Sequence, residues 1–336
     1  MASASDRPGL TRGQLLHRGL AAGVALGAAG AFPDSAAASQ QAPPLPAGFN
    51  RTFTSRFIKA GGLRQHVMIG GNGPPLLMVH GWPQSWYQFR LLMPALARDF
   101  TVIAPDQRGM GDTDKPRDGY DPASLANDLA ALMDALGHRR FAVLGCDTGM
   151  VISYALAADH PGRVVRLAVG EAPLPGISDS PDLFLTGSVA VSRVFHLLFN
   201  RLDKVNEQLV RGREDAFFGF VLDAEAVNKL PAYAVRHYID GFASSRDALR
   251  GSFGFYRAWD TMTAQNQERV KVKLTMPVLA IGGSLSTAGG PAVTMRKAAT
   301  DVQELVIPGS GHFIAEEAPD AMLAALTSFL APYRRT

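Results

Sequence analysis

Seven short runs punctuate this chain: "LRQHVMI", "PLLMVHG", "FTVIAPD", "FAVLGCD", "VVRLAVGE", "MPVLAIGG" and "QELVIPG". Several are Val, Ile, Leu and Ala almost without interruption. A strand with one wet face alternates apolar and polar residues, whereas a strand covered on both faces does not. The runs therefore predict a mostly parallel sheet buried between two layers. Segments of helical periodicity lie between them: "SWYQFRLLMPALA" from Ser85, "SLANDLAALMDALG" from Ser124, "MVISYALAADHP" from Met150 and "DAMLAALTSFLAPY" from Asp320. Strands and helices in alternation predict a doubly wound α/β architecture. The alternation stops between Pro173 and about Val270, where the text turns helical and aromatic ("VFHLLFN", "DAFFGFVL", "AYAVRHYIDGF", "GSFGFYRAW"), and resumes with a buried strand at Met276. That stretch reads as a helical insertion over one edge of the sheet. No internal repeat is visible.

The 336 residues, 47% hydrophobic and 19% charged, suffice for one large domain or a domain carrying an insertion. The 33 Lys and Arg against 30 Asp and Glu are dispersed without a basic run, which argues against a nucleic-acid partner. Cys146 is the only cysteine, so no intramolecular disulfide can form. The first residues differ from the rest. Arg7, Arg12 and Arg18 precede the Ala/Gly-rich "GLAAGVALGAAGAF" at 19–32, and "DSAAASQQ" follows with small residues spaced for cleavage near Ala38. This layout predicts an export signal over residues 1–38 and a mature protein in a periplasm or outside the cell. The apolar run is too short for a stable membrane span. "LTRGQLL" has one arginine where a twin-arginine signal wants two, and a low-complexity tail is the alternative reading. Residues 39–50, with "APPLPAG", read as a linker.

One turn stands out. In "LGCDTGM", residues 144–150, a strand meets a helix across Gly145, Asp147 and Gly149. Flanking glycines let strand and helix approach without Cβ clashes, and the residue at the tip projects from the sheet. Asp147 has two local readings. It can cap the following helix, or it can be a reactive carboxylate beside the positive helix terminus.

Four blocks, in order, resemble the α/β-hydrolase fold family, in its epoxide hydrolase and dehalogenase branch: "HGWPQSWYQFR" from His80, "DQRGMGDTDKP" from Asp106, "GCDTGM" from Gly145 and "GSGHFIAEEAP" from Gly309. The resemblance spans residues 50–333. It implies an eight-stranded, mostly parallel sheet with a helical cap inserted after the sixth strand: core 51–172, cap 173–269, core 270–336. It also implies that Asp147 is the nucleophile and that His312, after the last buried strand, activates water. Of the other histidines, 17, 66, 80, 138, 160, 196 and 237, none follows that strand. The backbone N–H groups of Trp82 and Thr148 would form the oxyanion hole.

An attacking carboxylate makes an ester. On an ester substrate it would give a mixed anhydride, a poor intermediate. On an electrophilic sp3 carbon it gives an alkyl ester that water can hydrolyse. Aspartate in place of serine thus points away from esterases and towards epoxides and haloalkanes. In many epoxide hydrolases an acid after the seventh strand holds the histidine, but here "SLSTAGG" puts Ser284 there, with no acid before Asp301. Some dehalogenases place the acid after the sixth strand, and Glu171 stands there, 24 residues beyond Asp147 (171 minus 147). Glu171 is the expected partner of His312; a hinge glutamate, or no acid at all, are the other readings.

Opening an epoxide leaves an alkoxide that needs a donor. "GSFGFYRAW" resembles the block bearing one cap tyrosine, so Tyr256 is the expected donor. Leu198 occupies the likely place of a second tyrosine, with His196 two residues away as a polar substitute and Tyr233 and Tyr238 as other candidates. Thr148 replaces the tryptophan common after the nucleophile, and Thr148 and Val151 are not the arginines of fluoroacetate-type enzymes. The Trp82 indole N–H can still serve a halide. The leading expectation is a cofactor-free epoxide hydrolase acting on a small apolar organic substrate and water. A dehalogenase with the same covalent step, and a non-catalytic ligand-binding protein on this fold, are the alternatives. No metal constellation is visible, and "GGNGPP" at 70–75 lacks the lysine and helix of a phosphate loop. Nothing in the sequence sets the oligomeric state.

Overall fold

The apolar runs are continuous because the sheet they form has no wet face. Within one strand, Leu77 and Val79 enter the core on one side while Leu76 and Met78 enter the core on the other. Val143 and Ala142, and Val169 and Ala168, divide in the same way. Burying each Val or Leu is worth about 1.5–3 kcal/mol, so the two layers together hold the sheet. In this computed structural model, residues 44–179 and 187–335 are described. The export signal expected at 1–38 lies outside them, as does the start of the expected linker. The linker's last residues are tied down: Phe49 is buried and stacks on Phe53 at 4.4 Å, and the Tyr87 hydroxyl donates to the Pro44 carbonyl.

The strands are β1 (Phe53–Ala60), β2 (Leu63–Gly70), β3 (Pro75–Val79), β4 (Thr101–Pro105), β5 (Phe141–Cys146), β6 (Val164–Gly170), β7 (Val278–Gly283) and β8 (Val302–Ile307), in the order β1-β2-β4-β3-β5-β6-β7-β8. β1 and β2, and β2 and β4, run antiparallel; all other pairs are parallel. The seven apolar runs became β2 to β8. The eighth strand, β1, carries no apolar run because it is an edge strand with mostly exposed side chains. Its hairpin to β2 turns at Gly61 and Gly62, both at positive φ (60° and 77°), as a two-residue hairpin loop requires.

The helices flanking the sheet are α1 (Pro122–Ala135), capped by Asp121, and α2 (Thr148–Asp159). Between β6 and β7 the described residues hold α3 (Ser188–Phe199), α4 (Val205–Val210), α5 (Glu214–Glu225), α6 (Ala232–Ala243), α7 (Arg246–Arg257) and α8 (Trp259–Arg269). α9 (Gly290–Ala298) follows β7 and α10 (Pro319–Leu330) closes the fold. The helix expected from Ser85 is instead a 3-10 turn, Trp86–Phe89, and one α-turn, Met93–Leu96. Pro94 has no N–H for the Arg90 carbonyl, which breaks a continuous helix there. No helix among the described residues is long and apolar enough to cross a membrane.

This order puts β3 at the switch point, with β4 and β5 on either side. In such sheets the crevice opens at the carboxyl ends of the strands. The residues singled out above follow those ends: Trp82 after β3, Asp147 after β5, Glu171 after β6 and His312 after β8.

Candidate active site

Asp147 sits between β5 and α2 with φ 54° and ψ −125°, a region that side-chain-bearing residues avoid. Close packing holds it there. A Cβ on Gly145 would collide with the Gly149 carbonyl and Ser153 Oγ, and one on Gly149 would collide with the Val79 and His80 carbonyls. The strand-to-helix turn can therefore be this sharp only with glycine at both places. The Asp147 side chain makes no capping bond to α2, which removes the helix-cap reading. Its Oδ1 accepts the Trp82 N–H at 2.6 Å, and the Thr148 N–H also faces the carboxylate. Its Oδ2 lies 3.6 Å from His312 Nε2. Burial pushes the Asp147 carboxyl up, while the His312 charge and the two N–H groups pull against it.

His312 is held from its other nitrogen. Nδ1 lies 3.1 Å from Glu171 Oε2. Glu171 is 3% exposed, and its carboxylate accepts from Gly283 N at 2.6 Å, Ser286 Oγ at 2.7 Å and Thr287 Oγ1 at 2.8 Å. A buried carboxylate is tolerable when its lone pairs are filled in this way. The loop after β7 holds no acid, yet it supplies two donors, Ser286 and Thr287, and the last residue of β7, Gly283, a third, to the acid that follows the neighbouring strand. Ser284 itself turns away, its Oγ accepting from Gly309 N. The loop bearing His312 is pinned by Glu317, which accepts from the N–H groups of Gly311, Phe313, Val227 and Asn228. Burial alone would lower the His312 pKa; Glu225, the Glu171 bond and Asp147 outweigh it and push the imidazole up to about 10.

The helices between β6 and β7 close the site from above. Tyr256 on α7 is 1% exposed and meets the Trp82 indole edge-on at 5.3 Å. Burial, then the charges of Asp147 and Glu225, push its phenol well above 10, so it keeps its proton. His196 on α3 is buried and stacks on Trp82 at 5.1 Å. Burial and the nearby His312 charge lower His196 to about 3, which leaves it neutral. A cavity of about 210 Å3 opens beside His196, with Asp147, Glu171, His196, Glu225 and His312 in its wall. Pro173, Val194 and Leu197 supply its apolar side.

Glu225 was missed from the sequence. It ends α5 on the stripe Phe218, Val221, Leu222, Glu225, all buried. Those positions are spaced i, i+3, i+4, i+7, so an acid falling on an apolar face was the available signal. Other candidates leave the site. Tyr238 donates its hydroxyl to Glu316, and Tyr233 and Leu198 are exposed. The Trp82 indole N–H is used by Ser252 Oγ at 3.1 Å, so it is not free for a halide. His80 is buried and joins two loops, donating to the Gly81 carbonyl and accepting from Gln107 N. The sequence showed no metal constellation, but the fold brings His66, Asp106 and Asp112 within 4.8 Å. Two of the three are already paired: His66 Nδ1 bonds Asp106 Oδ2 at 2.8 Å, and that oxygen also accepts from the Asp112 backbone N–H at 3.0 Å.

A carboxylate oxygen facing a cavity, an imidazole aligned by a second carboxylate, and the Trp82 N–H on the first carboxylate's other oxygen can support covalent catalysis at Asp147. Known proteins resemble this chain in sequence and fold. The family model described as alpha/beta hydrolase fold matches residues 74–319. The chain is 31% identical over 281 residues to the soluble epoxide hydrolase of Corynebacterium sp. (strain C12), covering 81% of this chain and 96% of the relative. It is 28% identical over 296 residues to the fluoroacetate dehalogenase of Burkholderia sp, covering 84% and 95%. The solved structure of wild-type Cfl2 from Burkholderia cenocepacia superposes with a TM-score of 0.79 at 34% identity, covering 83% of this chain and 96% of that one. These matches bear out the resemblance and the fold class read from the four sequence blocks.

Proposed function

This chain belongs to the alpha/beta hydrolase fold family, in the branch of the epoxide hydrolases and the fluoroacetate dehalogenase, and we propose that it opens epoxides to diols through an ester on Asp147. The observation that carries the reading is the division of labour between the two Asp147 oxygens. Oδ1 is occupied by the Trp82 N–H, and Oδ2 is the oxygen on the His312 side.

In the first step an Asp147 oxygen attacks an epoxide carbon and the C–O bond breaks. Tyr256, still protonated, hydrogen-bonds the nascent alkoxide, with His196 beside it. In the second step His312 Nε2 takes a proton from water, whose oxygen attacks the Asp147 carbonyl carbon. The Trp82 and Thr148 N–H groups then hold the carbonyl oxygen as it becomes an oxyanion. Glu171 keeps the Nδ1 proton of His312 in place, so Nε2 presents its lone pair. A halide substrate would share the covalent step, but the engaged Trp82 indole, with Thr148 next to the nucleophile, favours the epoxide. The relative from Corynebacterium supports the same choice. In this proposal residues 173–269 are the cap that shields the ester from bulk water. Residues 1–38 are its export signal, checked by whether the mature protein begins near Ser39.

The test is turnover of an epoxide panel in heavy-oxygen water. Repeated turnovers place the label in the Asp147 carboxylate, and a His312→Gln variant accumulates an ester detectable by intact mass. Full, sustained activity in Asp147→Asn would remove the nucleophile from the scheme.

A further inference from the structure

Glu225 takes no part in those two steps, yet it touches both ends of them. Its Oε2 lies 3.7 Å from His312 Nε2, and its Oε1 lies 3.3 Å from His196 Nδ1. One carboxyl thus spans the imidazole that activates water and an imidazole of the cavity's upper wall. Its place is set by backbone: His312 N donates to the Glu225 carbonyl at 3.3 Å, and Glu317 ties Val227 and Asn228 to the His312 loop. Packing alone would be served by an apolar residue on that stripe.

Resting on the reading above, we propose that Glu225 is a proton relay that feeds the opening alkoxide through His196 and then empties His312 so that it can act as a base. The groups facing Glu225 are His312, His196, Asp147, Glu171 and Arg193, and the Arg193 guanidinium is turned to the Leu285 and Ala224 carbonyls. Burial pushes the Glu225 carboxyl up to about 8; Asp147 and Glu171 push the same way, against His312 and Arg193. In this relay the resting site holds an Asp147 carboxylate, a His312 imidazolium and a Glu225 carboxylic acid.

The protons balance over one cycle. As Asp147 bonds carbon and the epoxide C–O bond breaks, the alkoxide takes the His196 Nε2 proton while Nδ1 takes the one on Glu225. The new ester has no charge, and the Glu225 carboxylate removes the Nε2 proton from His312. Neutral His312 then takes a proton from water as the water oxygen bonds the Asp147 carbonyl carbon. The ester C–O bond to the acyl carbon breaks, and the departing alkoxide takes the remaining water proton. The diol leaves with Asp147, His312 and Glu225 back in their starting states, and His196, left with its proton on Nδ1, gives that proton to water and takes one at Nε2 from water entering the emptied cavity before the next turnover. This route accounts for a base whose resting imidazole is already charged.

Rapid-quench measurement of Asp147 ester formation against pH tests the relay. The wild type should lose ester formation as pH rises through about 8, where Glu225 gives up its proton. Glu225→Gln should be slower by about tenfold or more below that pH, the scale of a lost general acid, and should lack the limb. His196→Phe cuts the relay at its other end and should lack the same limb, which serves if Glu225→Gln does not fold. A purely structural role would lower the amplitude and leave the limb near 8 in place; that result, or a Glu225→Gln rate within about twofold of the wild type, overturns the relay. Wild-type enzyme that forms no ester on Asp147 overturns both the relay and the reading beneath it.

Discussion

In the proposed scheme, replacing Glu171 by glutamine separates the two chemical steps, and the outcome can be worked from four distances. Oε1 receives Gly283 N at 2.6 Å and Thr287 Oγ1 at 2.8 Å; Oε2 receives Ser286 Oγ at 2.7 Å and faces His312 Nδ1 at 3.1 Å. The new amide has one donor end. Placed at Oε1, it would point an N–H at the Gly283 N–H, a donor facing a donor, at a cost of about 1–3 kcal/mol for the buried pair. Placed at Oε2, it meets a serine hydroxyl that can turn to accept and a histidine nitrogen that can accept. The second orientation wins. Nδ1 of His312 must then be the acceptor, which puts the neutral ring's proton on Nε2, where the lone pair for water is needed. The same tautomer trap in a serine-protease triad costs about 10⁴ in kcat. Ester formation on Asp147 needs no base and should stay within about tenfold of the wild type. Ester hydrolysis should fall by about 10³–10⁴. Intact-mass spectrometry after mixing with an epoxide should show the ester rising at near-normal speed and then persisting for many wild-type lifetimes. Hydrolysis at the wild-type rate would refute the argument, because it would mean that His312 does not depend on Glu171 for its tautomer.

Tyr256→Phe should slow ester formation by about tenfold to a hundredfold, the worth of one hydrogen bond to a charged oxygen, and leave ester hydrolysis unchanged in single-turnover traces. Ester formation should also fall on the acid side from a higher pH than an ordinary aspartate would dictate, because burial pushes the Asp147 carboxyl up and the proposed nucleophile must be ionised. A stopped-flow pH series reads that limb directly. Away from the site, Glu316→Ala should destabilise the fold by about 3–5 kcal/mol in urea titrations, because the loss leaves a buried charge unpaired. The charge is Arg90, 1% exposed, which pairs with Glu316 at 2.7 Å, while Gln84 and Tyr238 also donate to that carboxylate.

Much of this was legible in order along the chain. Uninterrupted apolar runs announced a sheet covered on both faces, and the break at Pro173 announced the inserted helices. Two glycines around Asp147 announced a turn too tight for other residues, and the collisions that a Cβ would meet at Gly145 and Gly149 are the reason. β1 was lost because an exposed edge strand carries no apolar run, although its Gly61-Gly62 turn was in plain view. The trio of His66, Asp106 and Asp112 was lost because His66, on β2, is 40 positions from Asp106 and meets the loop after β4 only in the folded chain.

What the sequence alone determined is the set of local geometries: which segments are strands, where the chain bends sharply, and which acid stands on the bend. Those depend on neighbours within a few residues, and residue type decides them. What only the tertiary structure decided is who faces whom. Glu171 meets His312 across 141 positions, Ser286 and Thr287 supply the donors that let an acid be buried there, and Glu225 reaches both imidazoles. Distances of that kind arise when loops from five strand ends converge over one crevice, and no local spacing encodes them.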